Sequence, residues 1–164
     1  MLRRSSNLLV GALLVLIAGC GFHLRGTADL AENLKTMYIQ GINLQRDLGL
    51  SLKRGLSYND VNVVKEYQSG TAVLTILDNK FERRILSVGA DAKVSEYQLY
   101  SSLVYKLTDS ANQVVIESEK LEAVRDYQFD QNQVLASDQQ ESQLRLELNE
   151  QLVQSLLRRL SAIQ

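Results

Sequence analysis

The chain has 164 residues, 45% of them hydrophobic and 23% charged, with 18 basic residues against 19 acidic ones. That composition belongs to a folded domain rather than a disordered tail, and the near-neutral balance excludes the basic footprint of a nucleic-acid binder. A single cysteine and a single histidine exclude a disulfide framework and a Cys/His metal cluster.

Arg3 and Arg4 precede an apolar run from Leu8 to Ala18, which closes on Ile17-Ala18-Gly19-Cys20. A charged n-region, an apolar h-region of about eleven residues and small residues at the cut describe a secretory leader. The run falls short of the roughly twenty apolar residues needed to span a bilayer. An ordinary leader followed by a stray thiol is the other reading, but an odd cysteine is unusual in an exported protein. An aliphatic residue, two small ones and a cysteine resemble the lipobox of bacterial lipoproteins. There a diacylglyceryl group is added to the thiol, the leader is removed before the cysteine, and the freed amino group is acylated. Residues 1–19 are thus expected to be a lipoprotein signal peptide, and residues 20–164 a single domain anchored through Cys20. One acyl chain holds a membrane only marginally, whereas two or three on one cysteine anchor stably. Removing 19 of the 164 residues leaves 145, enough for one core, with 16 basic and 19 acidic residues and a net charge of −3.

The rest of the chain contains no proline, where average usage would give about eight. Proline removes a ladder donor in strands and breaks helices, so its absence suits long uninterrupted elements. Residues 21–33 read as an approach to the domain, and Thr36 to Gln40 as a first strand followed by Gly41. Leu44, Leu48, Leu52 and Leu56 recur every four residues, with Gln45, Arg46, Lys53 and Arg54 off that line. This predicts an amphipathic helix, with Gly55 at its fraying end. Val61 to Val64 resembles a second strand, closed by the Gln68-Ser69-Gly70 turn.

Three long strands follow. The first runs from Val73 to about Val88 and turns at Gly89-Ala90-Asp91. In the second, Val94 to Thr108, the residues Tyr97, Leu99, Leu103, Tyr105 and Leu107 alternate with Glu96, Gln98, Tyr100, Ser102 and Lys106, the pattern of a half-buried antiparallel strand. Asp109 to Asn112 makes the next turn and Val114 to about Phe129 returns. A polar stretch from Asp130 leads to Ser137, which with Gln140 matches a capping box. A helical stripe of Leu144, Leu148, Leu152, Leu156, Leu160 and Ile163 then continues almost to the end, with Arg158 and Arg159 in its last turns. The expected fold class is α+β, with two amphipathic helices packed on one face of a mostly antiparallel four- to five-stranded sheet.

Groups for catalysis are scarce. His23 stands three residues from the anchor, and the sequence has no GxSxG elbow, HExxH, Cys/His cluster or glycine-rich phosphate loop. Acid pairs such as Glu117 with Glu119, or a Ser-Lys dyad, are the remaining catalytic options. The reading is a non-enzyme without cofactor beyond the lipid on Cys20. Candidate binding residues are Arg83, Arg84 and Lys93, whose charge and position suit phosphate groups. Adjacent strand residues face opposite ways, so only one arginine of the pair can share a face with a given ligand. Tyr97, Tyr100 and Tyr105 offer large area with a polar tip, as partner surfaces do.

Cys20-Gly21-Phe22-His23-Leu24-Arg25-Gly26 resembles the mature start of the LptE (RlpB) family of lipopolysaccharide-assembly lipoproteins, which begin Cys-Gly, an aromatic, then His-Leu-Arg. Ser95-Glu96-Tyr97-Gln98-Leu99 resembles the family's Ala-Glu-Tyr-Gln-hydrophobic stretch, and the element order agrees over nearly the whole chain. The resemblance implies an outer-membrane lipoprotein held in the periplasmic leaflet, which plugs and helps assemble the β-barrel translocon LptD in a one-to-one complex and binds lipopolysaccharide. It implicates basic residues near the tip of the sheet. Where some relatives carry a basic residue before the Glu-Tyr-Gln strand, this chain has Ala90 and Asp91, and before the last helix it has Ser137 rather than lysine. Arg83, Arg84 and Lys93 are therefore assigned from charge and position. A lipoprotein that scaffolds another envelope assembly or binds peptidoglycan is the alternative, and an anchored hydrolase the second.

Overall fold

β1 (Thr36–Gln40) buries Met37 and Ile39 and exposes Thr36 and Gln40, a short strand that leads through the turns of residues 41–46 into a helix. The computed structural model describes residues 29–130 and 133–163. After β1 come α1 (Asp47–Tyr58), β2 (Asn62–Val64), β3 (Ala72–Val88), β4 (Val94–Thr108), β5 (Val114–Gln128) and α2 (Val134–Ser161). They form one five-stranded sheet in the order β2-β1-β3-β4-β5. β1 runs parallel to both β2 and β3, while β3, β4 and β5 are antiparallel neighbours. The α+β class is as expected, with the parallel pairs set by the crossover through α1.

The helices share one face because their leucine stripes bury against the same strands. Leu48, Leu52 and Leu56 of α1 and Leu148, Leu152, Leu156 and Leu160 of α2 join Met37, Leu74, Leu99, Leu103 and Leu107 in one core. Gly55 lies inside α1 rather than at a fraying end: a Cβ there would stand 2.3 Å from Val153 Cγ1, so glycine lets the helices meet. α2 begins three residues before the expected capping box. Its N-cap is Gln133, which makes no side-chain capping bond, and Ser137 sits buried in the first turn.

The turn from β4 to β5 is held as the sequence suggested. The Asp109 carboxylate accepts from the amides of Ala111 at 2.9 Å and Gln113 at 2.8 Å, with Asn112 at φ 64°. β3 departs from strict alternation. Pairing passes from Ile76↔Tyr105 to Asp78↔Val104, so Leu77 is an extra residue that reverses the faces of the strand from Asp78 to Ile85. Before the bulge Ala72, Leu74 and Ile76 face the helices. After it Phe81, paired with Ser101, and Arg83, paired with Leu99, do so. A second irregularity lies between Ile85 and Ser87, next to the hairpin at residues 89–93.

Candidate functional site

Tyr100 lies at the centre of the sheet face that neither α1 nor α2 covers, paired with Glu82 on β3 and Val124 on β5. Arg84 stacks on its ring with the guanidinium carbon 4.0 Å from the centroid, and the Lys120 ammonium lies 5.8 Å from the same centroid. Each cation holds a carboxylate on its own strand, Arg84 with Glu82 and Lys120 with Glu122, and the Tyr100 hydroxyl donates to Glu122. The Arg84 hydrogen bond holds the Glu82 carboxyl below the usual carboxylate range. Lys120, then Tyr100, does the same for Glu122. The bond to Glu122 in turn raises Lys120. Gln98 donates to Asp126 at 3.1 Å, and Lys106 pairs with Glu117 at 3.1 Å on the same face. The face is therefore polar, lined by ion pairs and an amide–carboxylate bond, with an aromatic ring at its middle.

Arg83 points the other way, under α2. It donates to Glu141 at 2.9 Å and lies 4.6 Å from the Tyr97 centroid, and Tyr127 donates to the same Glu141 oxygen at 2.7 Å. Glu141 is the main cause of the raised Arg83 pKa. Burial, then the bond to Glu141, pushes the Tyr127 phenol up to about 12. Tyr97 stacks on Tyr127 at 5.8 Å and meets Phe129 edge-on at 5.2 Å. This cluster pins the first half of α2 to the sheet. At the other end Tyr105 is fully buried and donates to Glu119, which also pairs with Arg159. Of the three tyrosines read as contact candidates, Tyr100 alone lies on the helix-free face.

Lys93 stands on the hairpin at the sheet tip, 3.7 Å from Asp91. Ile85, Leu86 and Val88 are exposed on the strand leading there, at 62%, 47% and 59%. The three basic candidates thus occupy three places: Arg83 beneath α2, Arg84 on the helix-free face, Lys93 at the tip. The structure does not bring them together. Beside the tip a polar cleft of about 580 Å³ opens between the end of β3, the start of β4, the end of β5 and the start of α2. Cys20 and His23 lie outside the described residues. Among the described residues no group of three or more His, Cys, Asp or Glu could hold a metal ion.

The Glu141 clasp was not anticipated from the sequence, because its members lie 58 and 14 residues apart and meet only through tertiary packing. The Arg84–Tyr100 stack could have been found by counting cross-strand pairs from Val88↔Val94 at the hairpin, since the two irregularities around Ser87 cancel, but counting back from Thr108 fails at the Leu77 bulge.

A family model described as "LptE: Lipopolysaccharide-assembly" matches residues 34–160. A protein named "LPS-assembly lipoprotein LptE" from Photorhabdus laumondii is 30% identical over 169 residues, covering 99% of this chain and 88% of the relative. One of the same name from Pectobacterium atrosepticum is 27% identical over 164 residues, covering 99% and 88%. Among solved structures, an uncharacterized lipoprotein B from Nitrosomonas europaea superposes with a TM-score of 0.70 at 28% identity, covering 87% of this chain and 91% of that one. A minor lipoprotein from Acinetobacter baumannii gives 0.65 at 27% identity, covering 78% and 91%. The chain belongs to the LptE family of lipopolysaccharide-assembly proteins.

Proposed function

We propose that this LptE-family chain is a non-catalytic lipoprotein of the outer membrane, lipidated at Cys20 after removal of residues 1–19. It occupies the lumen of the LptD β-barrel, one plug to one barrel, and binds lipopolysaccharide on its way to the cell surface. The observation that carries the plug reading is the helix-free face. A barrel lumen is polar, and an occupant must present a hydrophilic surface over its own core. Here that surface is a row of charge pairs around Tyr100.

For the glycolipid, Lys93 at the tip and Arg84 on the open face are, of the three basic candidates, those that a phosphate can approach by displacing a surface carboxylate. Arg83 reaches a phosphate only by leaving Glu141. Exposed Ile85, Leu86 and Val88 give the tip an apolar side for acyl chains. The test is a detergent pull-down of the tagged, lipidated protein with mass spectrometry of what co-purifies. Stoichiometric recovery of one large outer-membrane β-barrel with lipopolysaccharide supports the reading. Recovery of the lipoprotein alone, or with cell-wall fragments, overturns it.

A further inference from the structure

The two edges of the sheet differ. β2 closes one edge with three residues, whereas β5 forms the other with 15. Pairing of β5 with β4 is unbroken from Glu119 to Gln128, and neither proline nor glycine interrupts that stretch. The Phe129 amide donates to the Ser95 carbonyl at 2.9 Å, so by the alternation of an antiparallel ladder the odd residues from Glu119 to Tyr127 bond β4. Lys120, Glu122, Val124 and Asp126 therefore turn their amides and carbonyls to the open edge. The Val124 carbonyl is reached there by the Arg125 guanidinium, at 2.9 Å. An edge this long and regular is a template for another strand, because short length, proline or a bulge would have blunted it.

Charge selects the strand. Two copies of β5 can meet antiparallel about a two-fold axis perpendicular to the sheet. With that axis at Ala123, Lys120 stands opposite Asp126 of the second copy, once on each side, and Glu122 stands opposite Val124. No like charges face each other between Glu119 and Tyr127 in this register. An axis one residue on, at Val124, sets Glu122 against Asp126, and one residue back it sets Glu122 against its own copy. Like charges directly opposite are destabilising, so the sequence of β5 favours one self-pairing over its neighbours.

The helices leave room for it. α2 lies over β4 and β5. The two α2 helices would thus stand two strand spacings apart, about 10 Å, an ordinary helix–helix distance. Gln151 lies on α2 between Glu141, which meets Tyr127, and Arg159, which meets Glu119, and so over the middle of this stretch. It is about 200° of helix away from Val153, the residue that meets α1, and hence on the flank towards the open edge. Its Oε1 atom is buried without a hydrogen-bond partner among the described residues, a costly state that a facing amide relieves. The two-fold axis brings Gln151 of the second copy to that flank.

We propose that β5 is a homodimer interface, at which two copies join their five-stranded sheets edge to edge about Ala123. The pairing does not depend on the barrel reading. Since one chain is proposed for each barrel, the dimer is the state of the anchored chain before a barrel takes it up, and it keeps the long edge covered until then.

The experiment sediments the purified, lipidated full chain in detergent over a range of concentrations, where a dimer is expected. Lys120→Asp and Asp126→Lys each set like charges opposite one another twice and should weaken the dimer roughly tenfold. The double exchange Lys120→Asp/Asp126→Lys should restore it. Both side chains are exposed, and circular dichroism checks that each variant folds. A mixture of Glu122→Cys and Val124→Cys copies, when oxidised, should become linked through one disulfide, because the two positions face each other within its span. Either copy alone should link no more than wild type, whose one cysteine is Cys20. A monomer at every concentration would overturn the proposal and leave the edge to a strand of another protein. A dimer indifferent to both charge reversals would also overturn it, by placing the interface elsewhere. Recovery or loss of the barrel in the pull-down bears on neither result.

Discussion

Arg83 and Arg84 are neighbours in the chain, and their guanidinium groups work on opposite faces of the sheet: one is bonded to Glu141 of α2, the other is stacked on Tyr100. Arg83→Ala should lower stability by about 1 kcal/mol, from a partly exposed ion pair and the Tyr97 stack. Arg84→Ala should stay within about 0.5 kcal/mol, as expected of a surface substitution. Urea unfolding followed by circular dichroism measures both. Equal losses would mean that the two faces are not distinct in the way described.

Gly55 sits where α1 and α2 touch. Alanine is the better helix former by about 1 kcal/mol. Its methyl group would nevertheless press on Val153, a β-branched side chain with little rotamer freedom, and overpacking costs roughly 1–3 kcal/mol. Gly55→Ala should therefore destabilise on balance by about 1 kcal/mol. The double variant Gly55→Ala/Val153→Ala should be more stable than the sum of the single losses predicts. A stabilising Gly55→Ala would show that the helices have room to spare.

Gly41 connects β1 to α1 with φ 86°, and a Cβ there would stand 2.1 Å from the Ile76 carbonyl oxygen, one residue before the β3 bulge. Gly41→Ala meets both a left-handed backbone and a backbone atom that cannot rotate aside. A loss of roughly 2–4 kcal/mol is expected. Thermal unfolding of the variant decides it, and a midpoint equal to wild type would contradict the geometry.

Tyr127 carries a pH dependence with a definite sign. Its folded pKa is raised from 10.0 to about 12, so the native state holds the phenolic proton more tightly than the unfolded chain does. Its stability contribution is complete below pH 10 and is lost as pH rises from there towards 12. In Tyr127→Phe the alkaline decline should be smaller, although Tyr105, also raised by burial and Glu119, keeps part of it. At neutral pH the variant should lose about 1 kcal/mol with the bond to Glu141. Unfolding curves at neutral and alkaline pH give both values.

Much of the fold is legible in the sequence because it rests on local periodicity. The four-residue leucine stripes mark both helices, and the alternation of Val94 to Thr108 gives the true inner and outer faces of β4. The Asp109–Asn112 turn is written in residues that bond their own backbone. What the sequence hides is non-local. The extra residue Leu77 changes which face Arg83 and Arg84 occupy: counted from Leu74 and Ile76, Arg84 would lie under the helices, and the structure places Arg83 there. Gly55 looks like a helix end until the partner helix is present. Ser137 carries a cap signature, but α2 begins upstream and buries it. Arg83, Arg84 and Lys93 lie close together in sequence, and that proximity does not survive folding into three separate places. The Glu141 clasp joins β3, β5 and α2, and the cleft is lined from β3, β4, β5 and α2, which no spacing rule contains.

The plug proposed above sets the helix-free face around Tyr100 against the wall of the barrel. Its most direct test places a photo-crosslinking amino acid at Gln98 or Lys120, one at a time, in the lipidated protein in living cells. Gln98 is half-buried and Lys120 exposed on that face. The account predicts that ultraviolet light produces a single large adduct at both positions, containing one outer-membrane β-barrel. No adduct at either position, with normal levels of anchored protein, would contradict it.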